Sequence, residues 1–223
     1  MSSFLIKPII GIINTIKQSL PSCKIFLADV RINFDYLLFI MIPNRKYYRL
    51  VVIDMQNDFI SGVLGSEAAE ATVPVIAEKI EGFNRSGFPV IATRDIHPKS
   101  YLDDIEGRRV PSHCLRGDIG SEITSAFSDY HFTAIIDKNN FMASPEEQQK
   151  IKKAIYEALG GDPDEIEVCG LCADICVVSN ALMLRMLFPD SEIRVDRRAT
   201  AGTTAENTES AFNVMRSCLI DIY

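Results

Sequence analysis

From residue 49 onward the chain alternates short apolar runs with longer amphipathic ones. Leu50-Val51-Val52-Ile53 contains no polar residue, the pattern of a strand buried on both faces. A helical stretch follows from about Val73 to Ser86, ended by Gly87 with Pro89 just beyond. Val90-Ile91-Ala92-Thr93 predicts a second strand and Ala134-Ile135-Ile136 a third. Pro145 opens a helix through Ala158, which Gly160-Gly161 stops. Glu167-Val168-Cys169 predicts a fourth strand, followed by an apolar helical face from Ile175 to Phe188 that Pro189 closes. Ile193-Arg194-Val195 and Leu219 to Tyr223 complete the set, with a helix near Thr208 to Arg216 between them. Strands alternating with helices of this length require right-handed crossovers, so the expected fold is a three-layer α/β/α sandwich with a mainly parallel sheet.

A length of 223 residues suits one full-sized domain, expected here over residues 41–223. Residues 1–40 do not join the alternation. Phe4-Leu5-Ile6 and Pro8 to Ile13 are apolar, but Lys7-Pro8 interrupts any single helix. We expect an N-terminal extension outside the core, or translation upstream of a start at Met41; its basic character also resembles a transit segment. Residues 1–47 carry six bases and two acids, so the rest of the chain is strongly acidic within a net charge of −7. That balance argues against nucleic-acid binding, which needs clustered Lys and Arg to neutralise phosphates. No apolar run approaches the roughly 20 residues of a membrane span. Six cysteines in a chain of this length read as reduced thiols, consistent with a cytoplasmic location, rather than a disulfide framework.

The chemistry lies at the strand ends. Asp54, Asp95, Lys138 and the Cys172–Cys176 loop each fall at the C-terminal end of an expected strand, the edge along which open parallel sheets build their sites. Cys176 follows a strand and a tight turn and opens a helix, where the macrodipole lowers a thiol pKa. The bland alternative for any cysteine is burial in the core, and Cys169 and Cys218 are read that way. Cys169 and Cys172 form a C-x-x-C, but no second pair completes a zinc site. Asp54 either caps the turn after its strand or, beside a thiol, acts as a general base. Lys138 is either a surface lysine or the cation that holds both charges. The loop from Arg94 to about Gly120 is long for an α/β connection and carries two of the three histidines, His97 and His113. Asp95, His97 and His113 are the ligand types of a catalytic metal site, with Glu106 as a fourth carboxylate. The alternative is that both histidines merely hydrogen-bond within the loop.

Val51-Val-Ile-Asp-Met-Gln-Asn-Asp-Phe59, Thr93-Arg-Asp-Ile-His-Pro98, His113-Cys-Leu-Arg-Gly117, Asp137-Lys138 and Gly170-Leu-Cys-Ala-Asp-Ile-Cys-Val177 together resemble the isochorismatase-like cysteine hydrolases, and among them most the nicotinamidases. The resemblance runs from about residue 49 to 223. It implies a triad of Asp54, Lys138 and Cys176, and a cis peptide at Leu171–Cys172 with the Cys172 and Cys176 N–H groups as an oxyanion hole. It further implies one divalent ion, zinc first with iron or manganese as alternatives, on Asp95, His97, His113 and Glu106. The substrate implied is a small amide, with Phe59 and Phe141 flanking a flat ring, and the assembly a homo-oligomer. Two positions depart from the family: Ile96 replaces the usual Trp between the metal Asp and His, and Ala173 replaces a Thr before Asp174. Two rival readings accompany this one, a ureido- or carbamoyl-amide hydrolase of the same superfamily and a non-catalytic binding member. Isochorismatase proper lacks the cysteine, so Cys176 argues against it.

Overall fold

A computed structural model of the chain describes residues 48–158 and 161–223. The expectation for residues 1–40 lies outside them. Six strands form one sheet in the order β3-β2-β1-β4-β5-β6, with every neighbouring pair parallel. They are β1 (Tyr48–Ile53), β2 (Val90–Asp95), β3 (Ala134–Lys138), β4 (Glu165–Leu171), β5 (Glu192–Ala201) and β6 (Asp221–Ile222). The order runs outward from β1 to β3, then crosses to β4 on the other side of β1. That reversal puts a topological switch point at the carboxyl ends of β1 and β4.

Alternation of side chains along β1 divides the core into two layers. Val51 and Ile53 point into one cluster with the helices α3 (Pro145–Glu157), α4 (Val178–Leu187) and α5 (Ala205–Ser217). Leu50 and Val52 point the other way, against α2 (Glu67–Arg85) and the long loop that follows β2. The two layers over one sheet are the expected sandwich. A single helical turn, α1 (Asn57–Ile60), follows β1.

Element bounds differ from the sequence pattern where side chains compete with it. Helix α2 starts six residues before Val73, because the Ser66 hydroxyl accepts the Ala69 N–H and Glu67 and Glu70 favour the positive helix end. Pro74 is accommodated inside it. Its buried positions Ala69, Thr72, Ile76 and Ile80 fall at helical spacing against the sheet. Strand β5 extends well past Val195 through a polar stretch. There Asp196 is fully buried and pairs with Lys79 at 2.6 Å and Arg198 at 3.0 Å, so charged residues are carried within a strand. The segment after β4 does not begin as an α-helix: Ala173–Val177 is a π-helical turn, with the Val177 N–H donating to the Cys172 carbonyl at 3.0 Å. Among the described residues no helix is long and apolar enough to cross a membrane.

Candidate active site and metal centre

The carboxyl ends of β1, β3 and β4 bring the expected triad together. Asp54 is the first residue after β1, and Lys138 is the last of β3 rather than a residue beyond it. Register pairs Lys138 with Asp95, the last residue of β2. Cys176 arrives from the other side of β1, within the π-helical turn after β4. Gly170 permits that approach. Its φ is +124°, and a Cβ there would stand 2.0 Å from the Ile53 carbonyl oxygen. The Leu171–Cys172 peptide is cis, as the resemblance implies.

Lys138 Nζ stands at the centre, 2.7 Å from Asp54 Oδ2, 3.7 Å from Cys176 Sγ and 3.8 Å from Asp95 Oδ1. It also donates to the Asn140 carbonyl at 3.0 Å. All three triad side chains are buried. Burial alone works against the lysine's charge, yet Asp54, Cys176 and Asp95 override it and hold the ammonium well above its ordinary pKa. Burial raises the Asp54 carboxyl, with Lys138 opposing. The thiol departs from the sequence reading. A helix terminus was expected to lower its pKa, but burial dominates and pushes Cys176 well above the ordinary thiol range, against the pull of Lys138. Burial thus favours the neutral thiol, and Lys138 is the charge that opposes it at both Cys176 and Asp54.

Several residues that the pattern gave no role hold this arrangement. Thr93 Oγ1 donates to Asp54 Oδ1 at 2.6 Å. Gln56 is buried and accepts the Asp95 N–H at 2.6 Å while donating to the Asp95 and Ser121 carbonyls at 2.7 and 2.8 Å, which pins the metal loop to the sheet. Asn180 donates to the Cys176 and Phe141 carbonyls at 2.7 and 2.9 Å and so ties Cys176 to the cavity wall. Sequence alone offered no signal for Asn180, which sits in an apolar helical face.

Asp95, His97, Glu106 and His113 converge beside the triad, each offering a ligand atom within 4.8 Å of the others. His97 Nε2 is 3.1 Å from Asp95 Oδ2 and 3.8 Å from Glu106 Oε1, and His113 Nε2 is 3.7 Å from each of the same two atoms. Tetrahedral donors about 2.0–2.2 Å from an ion lie roughly 3.3–3.6 Å apart, so the set is of the right type and nearly the right spread. Protonation supports the fit. Burial and then the charge of Asp95 push the Glu106 carboxyl up. Burial would lower His113, but its hydrogen bond to Asp95 overrides that and raises it. The cluster thus retains protons against an excess of negative charge, which a dication would replace. Asp95 Oδ1 is buried and accepts no hydrogen bond.

His113 Nδ1 is 2.8 Å from the Pro111 carbonyl, an obligate acceptor, so Nδ1 carries a proton and Nε2 is the nitrogen that faces the carboxylates and would meet an ion. The Asp58 carboxylate receives the Cys114 N–H at 2.7 Å and fixes the loop at the next residue. Tyr101, which sequence reasoning passed over, stacks on His97 and hydrogen-bonds to His113. Its signal was being the single Tyr, Phe or Trp between Arg94 and Gly120.

Cys176 of the triad and Asp95, Glu106 and His113 of the cluster line one cavity of about 430 Å³, with Cys172 beside them. Phe59 and Phe141 both line it, but unequally: Phe59 is 6% exposed and packs on His113 at 5.4 Å between ring centroids, whereas Phe141 is 42% exposed at the mouth. Ile96 is buried and not part of the wall. His131 is remote, at the chain entry to β3, where its backbone pairs with Asn84. Cys169 is buried in β4 as expected, but Cys218 is exposed at the end of α5, not in the core.

The isochorismatase domain model matches residues 48–222, and the chain belongs to the isochorismatase family of hydrolases. Within that family it is similar to the nicotinamidases. The nicotinamidase of Schizosaccharomyces pombe is 23% identical over 209 residues, covering 78% of this chain and 91% of that protein. The pyrazinamidase of Pyrococcus horikoshii, solved in complex with zinc, superposes with a TM-score of 0.68 at 27% identity over 79% of this chain and 98% of that one. The N-carbamoylsarcosine amidase of Thermoplasma acidophilum superposes with a TM-score of 0.64 at 31% identity, over 79% and 95% respectively.

Proposed function

We propose that the chain is an amidohydrolase that converts nicotinamide to nicotinate and ammonia through a thioester on Cys176. The observation that carries this reading is that Cys176, with Lys138 and Asp54 packed behind it, and Asp95, Glu106 and His113 of the carboxylate–histidine cluster line the same small cavity. A carboxamide carbon beside the thiol thereby sits within one ring's reach of the cluster.

Asp54 takes the Cys176 proton, and its raised affinity for protons suits it to that task. Lys138, within reach of both, keeps one positive charge opposite the one negative charge as it moves from carboxylate to sulfur. The sulfur attacks the carbonyl carbon, and the Cys172 and Cys176 N–H groups receive the oxyanion. The C–N bond breaks as Asp54 returns its proton to nitrogen, releasing ammonia and leaving the thioester. Water then adds to the thioester carbon, giving up its proton to Asp54. The carbon–sulfur bond breaks and the thiol reforms as the acid departs. A divalent ion on the four ligands, zinc by analogy with the Pyrococcus horikoshii pyrazinamidase, supplies a Lewis acid for a ring nitrogen and for nearby water. Phe59, fixed against His113, provides a flat apolar wall for the ring.

A second reading follows from the 31% identity to the Thermoplasma acidophilum N-carbamoylsarcosine amidase: a carbamoyl amide as substrate for the same triad. Ammonia release from nicotinamide and from a panel of ureido and carbamoyl amides, on one metal-loaded preparation, separates the two. We expect nicotinamide to have the highest kcat/KM. Preference for a non-aromatic amide by tenfold or more overturns the nicotinamide assignment and leaves the thiol hydrolase. No turnover of any amide would favour a binding role.

A further inference from the structure

Tyr101 lies on a short 3-10 helix (Lys99–Asp103) between the two histidines of the cluster, and is 3% exposed. Its ring stacks on His97 with centroids 4.1 Å apart and planes inclined by 15°. The same ring meets His113 edge-on at 5.9 Å and 87°. Its hydroxyl accepts the His113 backbone N–H at 3.2 Å and lies 3.3 Å from His113 Nδ1. One side chain therefore fixes the plane of one imidazole by stacking and the backbone of the other by hydrogen bonding. It touches neither Asp54 nor Cys176 by any hydrogen bond or ring contact among the described residues.

Metal affinity depends on how much freedom the ligands lose on binding, and outer partners that hold imidazoles in place reduce that loss. Pro111 accepts from His113 Nδ1, and the two carboxylates of the cluster, Asp95 and Glu106, both face the two histidine Nε2 atoms. Among the described residues only Tyr101 engages both rings from outside the ligand set: Phe59 packs only on His113. The Tyr hydroxyl has a second consequence. Without it the His113 N–H is buried with no acceptor, and the loop must shift to find one.

We propose that Tyr101 is a positioning residue that pre-organises His97 and His113 for a divalent ion, through its ring for the first and its hydroxyl for the second. The proposal rests on reading Asp95, His97, Glu106 and His113 as metal ligands. The two contributions separate by substitution: Tyr101→Phe keeps the stack and removes the hydroxyl, and Tyr101→Leu removes both.

The test is zinc affinity of the full chain by competition with a chromophoric chelator, with melting of the metal-free chain and the visible spectrum of the cobalt-loaded chain alongside. We expect Tyr101→Phe to weaken zinc about tenfold and Tyr101→Leu to approach a hundredfold, the range for lost outer partners. The cobalt bands should shift in both, since ligand geometry sets them. A purely structural tyrosine would lower the metal-free melting temperature but leave the affinity of the folded chain and the cobalt spectrum unchanged, and that result overturns the inference. His97→Ala and His113→Ala serve as the control for the underlying reading. If these bind zinc as tightly as the unaltered chain, or if that chain takes no zinc, the metal assignment itself fails and the inference with it.

Discussion

The buried lysine at the centre of the site yields the sharpest prediction. Lys138→Met keeps most of the side-chain volume and removes the only cation within 4 Å of Asp54 among the described residues. Removing one partner of a buried pair costs about 3–5 kcal/mol if the other stays charged. Asp54 has a way out, which is to take up a proton. Its pKa is already raised by burial, and Lys138 is what restrains the rise. In the variant the folded-state pKa therefore climbs further above the unfolded value of about 3.9. A group whose folded pKa is raised contributes stability while protonated and loses it as pH rises through the window between the two values. The slope is about 1.4 kcal/mol per pH unit for one proton. The variant should thus equal the unaltered chain near pH 4 and fall behind by about 3–5 kcal/mol by pH 8. Denaturant unfolding at several pH values, at equal metal content, measures this. Turnover should drop by roughly 10²–10⁴-fold at neutral pH, the scale of a lost proton-transfer arrangement. A stability deficit of constant size from pH 4 to pH 8 would refute the argument, because it would mean that packing rather than charge is what Lys138 contributes.

Three further outcomes follow. Cys176→Ala should abolish amide turnover with unfolding unchanged to within about 1 kcal/mol, and activity surviving in that variant removes the triad. Because Cys176 is buried with a raised pKa and Cys218 is exposed, iodoacetamide should label Cys218 before Cys176 among the thiols of the described residues, read by peptide mass spectrometry. Elemental analysis should find about one divalent ion per chain, lost in His97→Ala or His113→Ala and weakened less in Glu106→Ala, whose carboxylate is the most exposed of the four ligands. Full activity in the metal-free chain would contradict the cluster's assigned part.

What the sequence disclosed and what it withheld divide along physical lines. Asp54, Asp95 and Lys138 were legible because each closes an expected strand, and Cys176 because it follows a strand and a tight turn; parallel topology sends every such strand end to one edge. The thiol's acidity was misjudged because a dipole argument reads only local chain direction, whereas burial depends on what packs from elsewhere. Gln56, Asn180 and Tyr101 were hidden for a related reason. Their roles consist of hydrogen bonds to backbone atoms 12 to 65 positions away, or to the next turn, and no periodicity encodes an acceptor. The length of β5 was hidden because Asp196 and its basic partners look like a turn in one dimension and are an ion cluster in three.

The position of β3 at the end of the ladder has a consequence for durability. Lys138 reaches the site only while five residues of an edge strand stay paired to β2, with no further strand beside them among the described residues and Ile135 half in solvent. Edge strands open at lower free energy than the strands they flank. Each such opening would withdraw the cation from a carboxylate that β1, two strands further in, continues to hold in place. The enzyme would then still be folded by most measures, yet its electrostatic keystone would be in the water. On this reading, competence would depend on an edge strand as well as on the core.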